Sequence, residues 1–232
     1  MSSTSRTEQI RRPTRLGDEV YSAIFGQLMS LRIPPGGRIS VDNLVRELGV
    51  SQTPIREALS RLEAQGLVVK THLVGYSASN QMDARRFEQL YQLRELLEPF
   101  AAAEAARNMS PEAIAELERL ADEMSVAGEN EDPRTAYARF ARQDSEFHNM
   151  IAGGSGNELI QQTLAGLHIH VHLFRLFYHS TAAREAIEEH RRIIAAIARH
   201  DPEAAHAAMH DHIARSMARF RPAIAAPATP GG

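Results

Sequence analysis

Apolar residues recur at helical spacing along most of this chain. Residues 14–30 show the pattern first, with apolar side chains at a four-residue step, at Leu16, Val20, Ile24 and Leu28. This spacing places the four side chains on one face of an amphipathic helix. The Pro- and Gly-rich segment 33–37 then predicts a turn that ends the helix.

Two short amphipathic helices are predicted on either side of a turn at Gly49-Val50. Ser40 can cap the first helix, which extends to about residue 48. The second helix begins at residue 51 or 52 and runs to residue 65. Gly66 follows it, at the position where a left-handed residue commonly ends a helix. The pattern is typical of a helix-turn-helix.

A β-hairpin is predicted directly after these helices. Residues 67–69 and 76–78 have the composition of two short strands, with the tip of the hairpin at residues 73–75. Helix, helix-turn-helix and hairpin in this order make a winged helix-turn-helix, which we place at residues 14–79. The polar segment 1–13 is predicted to be a disordered arm.

Residues 82–221 have a helical pattern almost throughout, and six helices are predicted. The breaks between them are Gly-rich or place Ser or Asp before proline, the order in which a cap precedes the first helical residue. The predicted ranges are 83–107, 111–127, 133–151, 156–179, 182–200 and 202–221. The fold class is therefore mainly α, an N-terminal winged helix-turn-helix followed by an all-helical antiparallel bundle. The Ala/Pro/Gly-rich residues 222–232 are predicted to be a disordered tail.

The start of the second short helix has the residue types of a DNA recognition helix. Such a helix reaches base edges and phosphates with polar residues in its first turns. Proline is tolerated there because its missing N–H has no helical partner. An ordinary amphipathic hairpin inside a helical protein is the alternative. The predicted DNA-contacting residues of this helix are Ser51, Gln52, Thr53, Pro54, Arg56 and Arg61.

Charge and composition favour DNA binding and exclude other classes. Residues 1–80 carry a net charge of +3 and residues 81–232 a net charge of -6, which fits a DNA-binding head on a body that does not touch DNA. The absence of cysteine excludes disulfides, thiolate zinc sites and cysteine nucleophiles. No apolar run approaches the ~20 residues that cross a bilayer. A cytoplasmic protein without a membrane partner is expected.

Asp144 and His148 are a candidate metal-binding pair. They lie four residues apart on one predicted helix, so they share a face. His190 and His212, on two later helices, complete a set of one carboxylate and three imidazoles. Zinc, nickel, manganese or iron suits such ligands. Chance is the alternative, because a helical chain with 11 histidines contains such pairs without a metal.

Residues 49–68, GVSQTPIREALSRLEAQGLV, closely resemble the N-terminal domain of the GntR family of bacterial transcription regulators. The resemblance implies DNA contacts for Arg56 and residues 51–53. Family members usually carry arginine at Gln52, so a different operator preference is expected, because glutamine pairs with adenine and arginine with guanine. In the wing, Gly75 matches the tip glycine of the family. His72 is predicted to approach DNA there, with a solvated turn residue as the alternative.

Four further segments, at 91–99, 144–157, 188–205 and 210–217, resemble the FCD domain of the FadR subgroup of this family. Many such domains hold a metal through one aspartate and three histidines. The resemblance also implies a small carboxylate effector beside the metal, bound with help from Arg94. A salt bridge from Arg94 to Glu95 or Glu98 is the alternative. Carried over to this sequence, the metal ligands are Asp144, His148, His190 and His212.

Other histidines give weaker signals. Residues 168–172 read HIHVH, in which only His168 and His172 share a helical face, and these two are candidates for the effector cavity or for a solvated surface. His206 and His210 form another four-residue pair, but His212 matches the family position. Asn157 is predicted to be a helix cap.

Together these features predict a ligand-responsive transcription regulator, most often a repressor in this family. A homodimer on a near-palindromic operator is expected, because a single head buries little DNA surface. A metal-sensing regulator and a metal-dependent enzyme acting on a small organic acid are the alternatives.

Overall fold

The computed structural model describes residues 14–125, 133–169, 173 and 180–225. Its N-terminal part is the predicted winged helix-turn-helix. Its sheet consists of three antiparallel strands, β1 (Arg38–Ile39), β2 (Val68–Thr71) and β3 (Gly75–Ala78), in the order β1-β3-β2. Strand β1, which the sequence did not predict, has two residues and is too short to show alternation. The elements of this head are α1 (Thr14–Met29), β1 (Arg38–Ile39), α2 (Val41–Leu48), α3 (Gln52–Ala64), β2 (Val68–Thr71) and β3 (Gly75–Ala78).

Local sequence signals set the boundaries of the helix-turn-helix. Ser40 Oγ accepts a hydrogen bond from the Asn43 amide at 3.3 Å and caps α2. Gly49 ends α2 with φ 67°, and Gly66 follows α3 with φ 70°, a conformation that costs glycine little. The helices pack around a shared apolar core, which includes Ile24, Phe25, Leu28, Ile55, Leu59, Leu62 and Leu67.

The remainder of the described chain is an all-helical bundle. Helix α9 (Pro202–Ala225) packs along α4 (Ala84–Asn108) and α8 (Ser180–Ala198). Helix α6 (Pro133–Gly154) contacts α4, α5 (Pro111–Ser125) and α7 (Glu158–Leu167). Two predicted caps are present, because Asp201 accepts the Ala204 amide and Asn157 accepts two amides at the start of α7. The helices of this body are α4 (Ala84–Asn108), α5 (Pro111–Ser125), α6 (Pro133–Gly154), α7 (Glu158–Leu167), α8 (Ser180–Ala198) and α9 (Pro202–Ala225).

The structure differs from two of the predicted helices. The helix predicted at 156–179 is interrupted after Leu167, because His168 adopts a left-handed conformation with φ 46°. Ile169 and Leu173 are again helical, and the predicted end at 179 lies outside the described residues. The last helix continues through Pro222 to Ala225. A proline this close to the helix end removes only one hydrogen bond, and the buried Phe220 packs this turn into the core. The predicted arm 1–13 and residues 226–232 of the predicted tail lie outside the described residues.

The head and the body touch through α1 and α6. Arg142 Nη1 donates to Ser22 Oγ at 3.4 Å, and the Arg142 guanidinium carbon lies 5.8 Å from the centre of the Phe25 ring. Within the described residues, no helix is long and apolar enough to cross a membrane.

Candidate DNA-binding surface and metal centre

The first turns of α3 form an exposed polar surface. Ser51, Gln52, Thr53 and Arg56 are exposed, while the opposite face of the helix is buried in the head. Gln52 Nε2 donates to Asp42 Oδ1 at 3.0 Å, and Arg56 Nη2 donates to Gln52 Oε1 at 3.3 Å. The Gln52 amide is therefore held at both ends in one orientation on the surface. Pro54 is half-buried in the first turn, as expected for its position.

The wing lies beside this surface. His72 and Leu73 are exposed in the turn between β2 and β3, and Gly75 follows with φ 108°, which favours glycine. A groove between α3 and the wing is lined by Arg38 and Arg56, among other residues. The sequence did not single out Arg38, because its place beside the wing depends on the pairing of β1 with β3.

Arg61 has its described contacts on α1. Its Nη1 donates to Asp18 Oδ1 at 2.8 Å, and its guanidinium stacks over the Tyr21 ring at 4.2 Å. These contacts join α1 to α3. Arg61 lies away from Arg56, because five residues rotate a side chain by about 140° around a helix. A DNA contact by Arg61 stays a prediction.

The three predicted histidine ligands converge inside the body. His148 on α6, His190 on α8 and His212 on α9 are at most 5% exposed. Each offers one ring nitrogen, and these nitrogens all lie within 4.8 Å of one another. The other predicted pair is different, because His206 and His210 are exposed. Tertiary structure therefore brings together histidines that are 22 to 64 residues apart in the sequence.

Asp144 lies beside His190, next to this histidine cluster. It is 4% exposed, and its Oδ1 is 3.3 Å from His190 Nε2. Two ligands of one tetrahedral zinc lie about 3.3 Å apart when the metal–ligand bonds are about 2.0–2.1 Å long. The Asp144–His190 separation therefore fits two ligands of one metal.

Two buried carboxylates orient two of the rings. Glu98 Oε2 pairs with His148 Nδ1 at 2.5 Å, and Glu189 Oε2 pairs with His212 Nδ1 at 2.8 Å. A ring whose Nδ1–H donates to a carboxylate keeps its lone pair on Nε2. Carboxylate–histidine pairs of this kind commonly surround metal sites. The residue types, their burial and these pairings fit a divalent transition metal.

Each carboxylate is held in turn by an arginine. Arg94 donates to Glu98 through Nε at 2.6 Å, and Arg219 donates to Glu189 through both terminal nitrogens at 2.7 and 2.8 Å. Burial raises the pKa of Glu98, but Arg94 and His148 together hold that pKa well below its usual range. Burial likewise opposes ionisation of Glu189, yet hydrogen bonds from His212 and Arg219 lower its pKa to about 2. Both groups therefore remain anionic acceptors at neutral pH.

The predicted alternative for Arg94 is present, with Glu98 as its partner. Arg94 is 1% exposed, so a direct contact with an effector requires this ion pair to open. Sequence reasoning missed the roles of Glu189 and Arg219, which are 30 residues apart. The only early signal for Glu189 was its position directly before a candidate ligand.

Aromatic and polar neighbours fix the centre further. Phe147 is fully buried and stacks on His190 with ring centres 4.0 Å apart. Tyr91 and Ser216 share a hydrogen bond of 2.8 Å between α4 and α9. Together with the Glu98–His148 and Glu189–His212 pairs, these contacts link the four helices that surround the histidines.

A cavity of about 340 Å³ opens on one side of His148. Glu98 borders it from α4, Arg142 from α6 and His168 from the end of α7. His168, which the sequence left as a candidate for the effector cavity or for a solvated surface, lines this cavity, whereas His172 lies outside the described residues. Burial lowers the pKa of His168, although a backbone hydrogen bond to Ala64 opposes the shift.

Comparison with known proteins places the chain in a family. Residues 89–215 match the FCD domain, and residues 16–76 match the bacterial regulatory proteins of the gntR family. The HTH-type transcriptional regulator LutR of Bacillus subtilis (strain 168) is 31% identical over 205 residues, which cover 78% of this chain and 90% of LutR. The chain belongs to the GntR family and carries an FCD domain.

Other relatives agree with this assignment. The "Probable D-xylose utilization operon transcriptional repressor" of Paenarthrobacter nicotinovorans is 28% identical over 202 residues, 87% of each chain. The structure of E. coli McbR/YncC has the same fold, with a TM-score of 0.66, 24% identity and coverage of 90% of this chain and 98% of that chain. The matched families and relatives are transcription regulators, not enzymes. This GntR-family chain is therefore a DNA-binding transcription regulator.

Proposed function

We propose that this regulator is a repressor whose body binds a divalent metal and a small carboxylate effector. Zinc is the first candidate for the metal, with nickel, manganese or iron as alternatives. The observation that carries the proposal is the buried cluster of His148, His190 and His212, with two of its rings oriented by Glu98 and Glu189. Asp144 supplies the fourth ligand in this account. When bound, such a metal offers a positive centre that attracts a carboxylate.

The cavity beside His148 is the proposed effector site. Its volume of about 340 Å³ suits a small organic acid. His168 lines this cavity, and His172 remains a second proposed contact from the sequence. Arg94 contributes indirectly, because its ion pair with Glu98 fixes the carboxylate that orients His148.

A homodimer is proposed for the active form. Leu96 and Phe100 on α4 and Leu159 on α7 are exposed large apolar side chains. The two helices lie antiparallel. At one end, Asn108 at the C-terminus of α4 donates to the Ser155 carbonyl just before α7. Further along, Leu93 of α4 and Leu167 of α7 border one cavity. An apolar surface on two adjacent helices fits a second copy of this chain.

The proposed DNA target is a near-palindromic duplex read by the start of α3 and by the wing. Ser51, Gln52, Thr53 and Arg56 are proposed to reach bases and phosphates. The repressor assignment rests on the name of the Paenarthrobacter relative and on the family.

Elemental analysis of the purified full chain, combined with a thermal-shift screen of small organic acids, tests the proposal. The same measurements are repeated on His148→Ala and on a control, His206→Ala, which removes an exposed histidine. We expect about one metal per chain and an acid-dependent rise in melting temperature in the wild type and the control. Loss of both is expected in His148→Ala. An acid effect of full size without metal would contradict the coupled site.

A metal sensor is the second candidate function, because the histidine cluster alone could bind a metal as the signal. Operator affinity, measured by fluorescence anisotropy over a zinc titration without organic acid, separates the two. A metal-dependent change in affinity favours the sensor. Affinity that changes only when an acid is added favours the effector-responsive repressor.

A further inference from the structure

We propose that Arg142 binds the carboxylate of a ligand in the cavity beside His148 and, without ligand, holds the head against the body. This inference rests on the proposed function in one respect, that the cavity receives a small carboxylate. It adds the residue that recognises the anion and the contact through which occupancy reaches the DNA-binding head.

Arg142 belongs to the face of α6 that borders the cavity. Arg142, Ser145, Glu146 and Asn149 all line it, and their spacing of three and four residues puts them on one side of the helix. Asp144 and His148 lie on the same helix and point to the metal centre. Arg142 and His148 therefore border the same cavity, six residues or about 9 Å apart along the helix axis.

Arg142 is better placed than Arg94 to bind an anion in the cavity. Among the described residues that line the cavity, Arg142 is the one arginine or lysine. Arg94 is buried and bonded to Glu98 through two nitrogens. Arg142 is exposed, so its guanidinium can turn toward a carboxylate and offer the two parallel N–H groups that match it.

The present partners of Arg142 are on the head. It donates to Ser22 Oγ at 3.4 Å and lies 5.8 Å from the centre of the Phe25 ring. The hydrogen bond to Ser22 is long and exposed, and the contact with Phe25 lies near the outer limit of a cation–π interaction, so each is weak enough for an anion to displace. An anion in the cavity can therefore compete for the guanidinium successfully.

Helix α1 carries the effect to the recognition helix. Tyr21 Oη donates to Gln65 Oε1 at 2.7 Å, and Arg61 bonds Asp18, so α1 and α3 move together. Arg142 therefore contacts the helix that is coupled to α3, and loss of its contact weakens the hold of the body on α1.

Hydrogen exchange of the metal-loaded full chain tests the inference, with acetate as the probe. The variants are Arg142→Ala, Arg142→Lys and the control Arg85→Ala, which removes an exposed arginine from α4. Without acetate, we expect the α1 amides of Arg142→Ala to exchange at least about three times as fast as those of the wild type. Acetate should accelerate α1 amide exchange to a similar extent in the wild type and in the control. It should not change exchange in Arg142→Ala and should have a smaller effect in Arg142→Lys.

Several results would overturn the inference. Equal exchange rates of the α1 amides in Arg142→Ala and Arg85→Ala would refute the role of Arg142 in holding the head. An acetate response of full size in Arg142→Ala, or no acetate response in the wild type, would refute anion binding by Arg142. Repeating the wild-type measurement after metal removal tests the proposed function separately. An acetate response that depends on Arg142 but not on metal would contradict the metal-coupled site and support Arg142. Circular dichroism confirms that each variant is folded.

Discussion

Replacing Glu189 with glutamine should weaken metal binding while leaving all four proposed ligands in place. Glu189 accepts a hydrogen bond from His212 Nδ1 at 2.8 Å and two from Arg219 at 2.7 and 2.8 Å. A glutamine has nearly the same shape, but its amide can donate to Nδ1. The ring proton then moves to Nε2 and occupies the lone pair that a metal needs.

The size of the effect follows from these contacts. Loss of a carboxylate that orients a metal-binding histidine reduces affinity about 10- to 100-fold, which corresponds to about 1.4–2.7 kcal/mol. The metal-free protein should also lose about 2–3 kcal/mol, because hydrogen bonds to a charged acceptor become neutral ones. For a chain of this length, each kcal/mol lowers the melting temperature by about 2–4 °C.

Zinc affinity, measured by competition with a chelating dye, is the assay for Glu189→Gln. Glu185→Gln is the matched control, because Glu185 lies one turn earlier on α8, 3.6 Å from the same Arg219, and is 58% exposed. It makes an exposed ion pair, which contributes about 0–1 kcal/mol. Equal zinc affinities for the two variants would refute the orienting role of Glu189.

Three further predictions concern the head and the acid range. Arg56→Ala should lower operator affinity by about 1–3 kcal/mol in an anisotropy titration, whereas Arg61→Ala should mainly lower the melting temperature because its partners are on α1. Gln52→Arg should shift binding-site selection from adenine toward guanine at one base pair, and an unchanged selection would contradict a base contact. Glu98 and Glu189 have folded pKa values below their unfolded ones, so their stabilisation is present above about pH 4.5 and is lost as the pH falls through the folded pKa, which is about 2 for Glu189. Denaturant titrations of the metal-free protein at about pH 6 and pH 3.5 should show a smaller loss for Glu189→Gln than for the wild type.

The fold was largely predictable because its signals are local. Ser40, Gly49 and Gly66 mark the ends of the helix-turn-helix through caps and left-handed conformations that depend on neighbouring residues. The break at His168 was missed because a histidine in the left-handed region has no sequence signal comparable to glycine. The face that Arg61 occupies depends on the packing of α1 against α3, which periodicity within α3 does not reveal.

Only the proposed metal ligands of the candidate site could be predicted from the sequence. His148, His190 and His212 followed from the family resemblance, and their convergence agrees with it. The residues that hold them come from other helices, since Glu98 is 50 residues from His148 and Glu189 is 23 from His212. Charged residues are common on helices, and only the folded chain distinguishes buried orienting carboxylates from those on solvated faces.

The proposed metal centre can be measured by X-ray absorption spectroscopy of the zinc-loaded full chain. We expect about one zinc per chain, with three imidazole nitrogens and one carboxylate oxygen at about 2.0–2.2 Å. In His212→Ala the imidazole contribution should fall or the zinc should be lost. A zinc shell dominated by water, or an unchanged spectrum in His212→Ala, would contradict a metal centre at the buried histidine cluster.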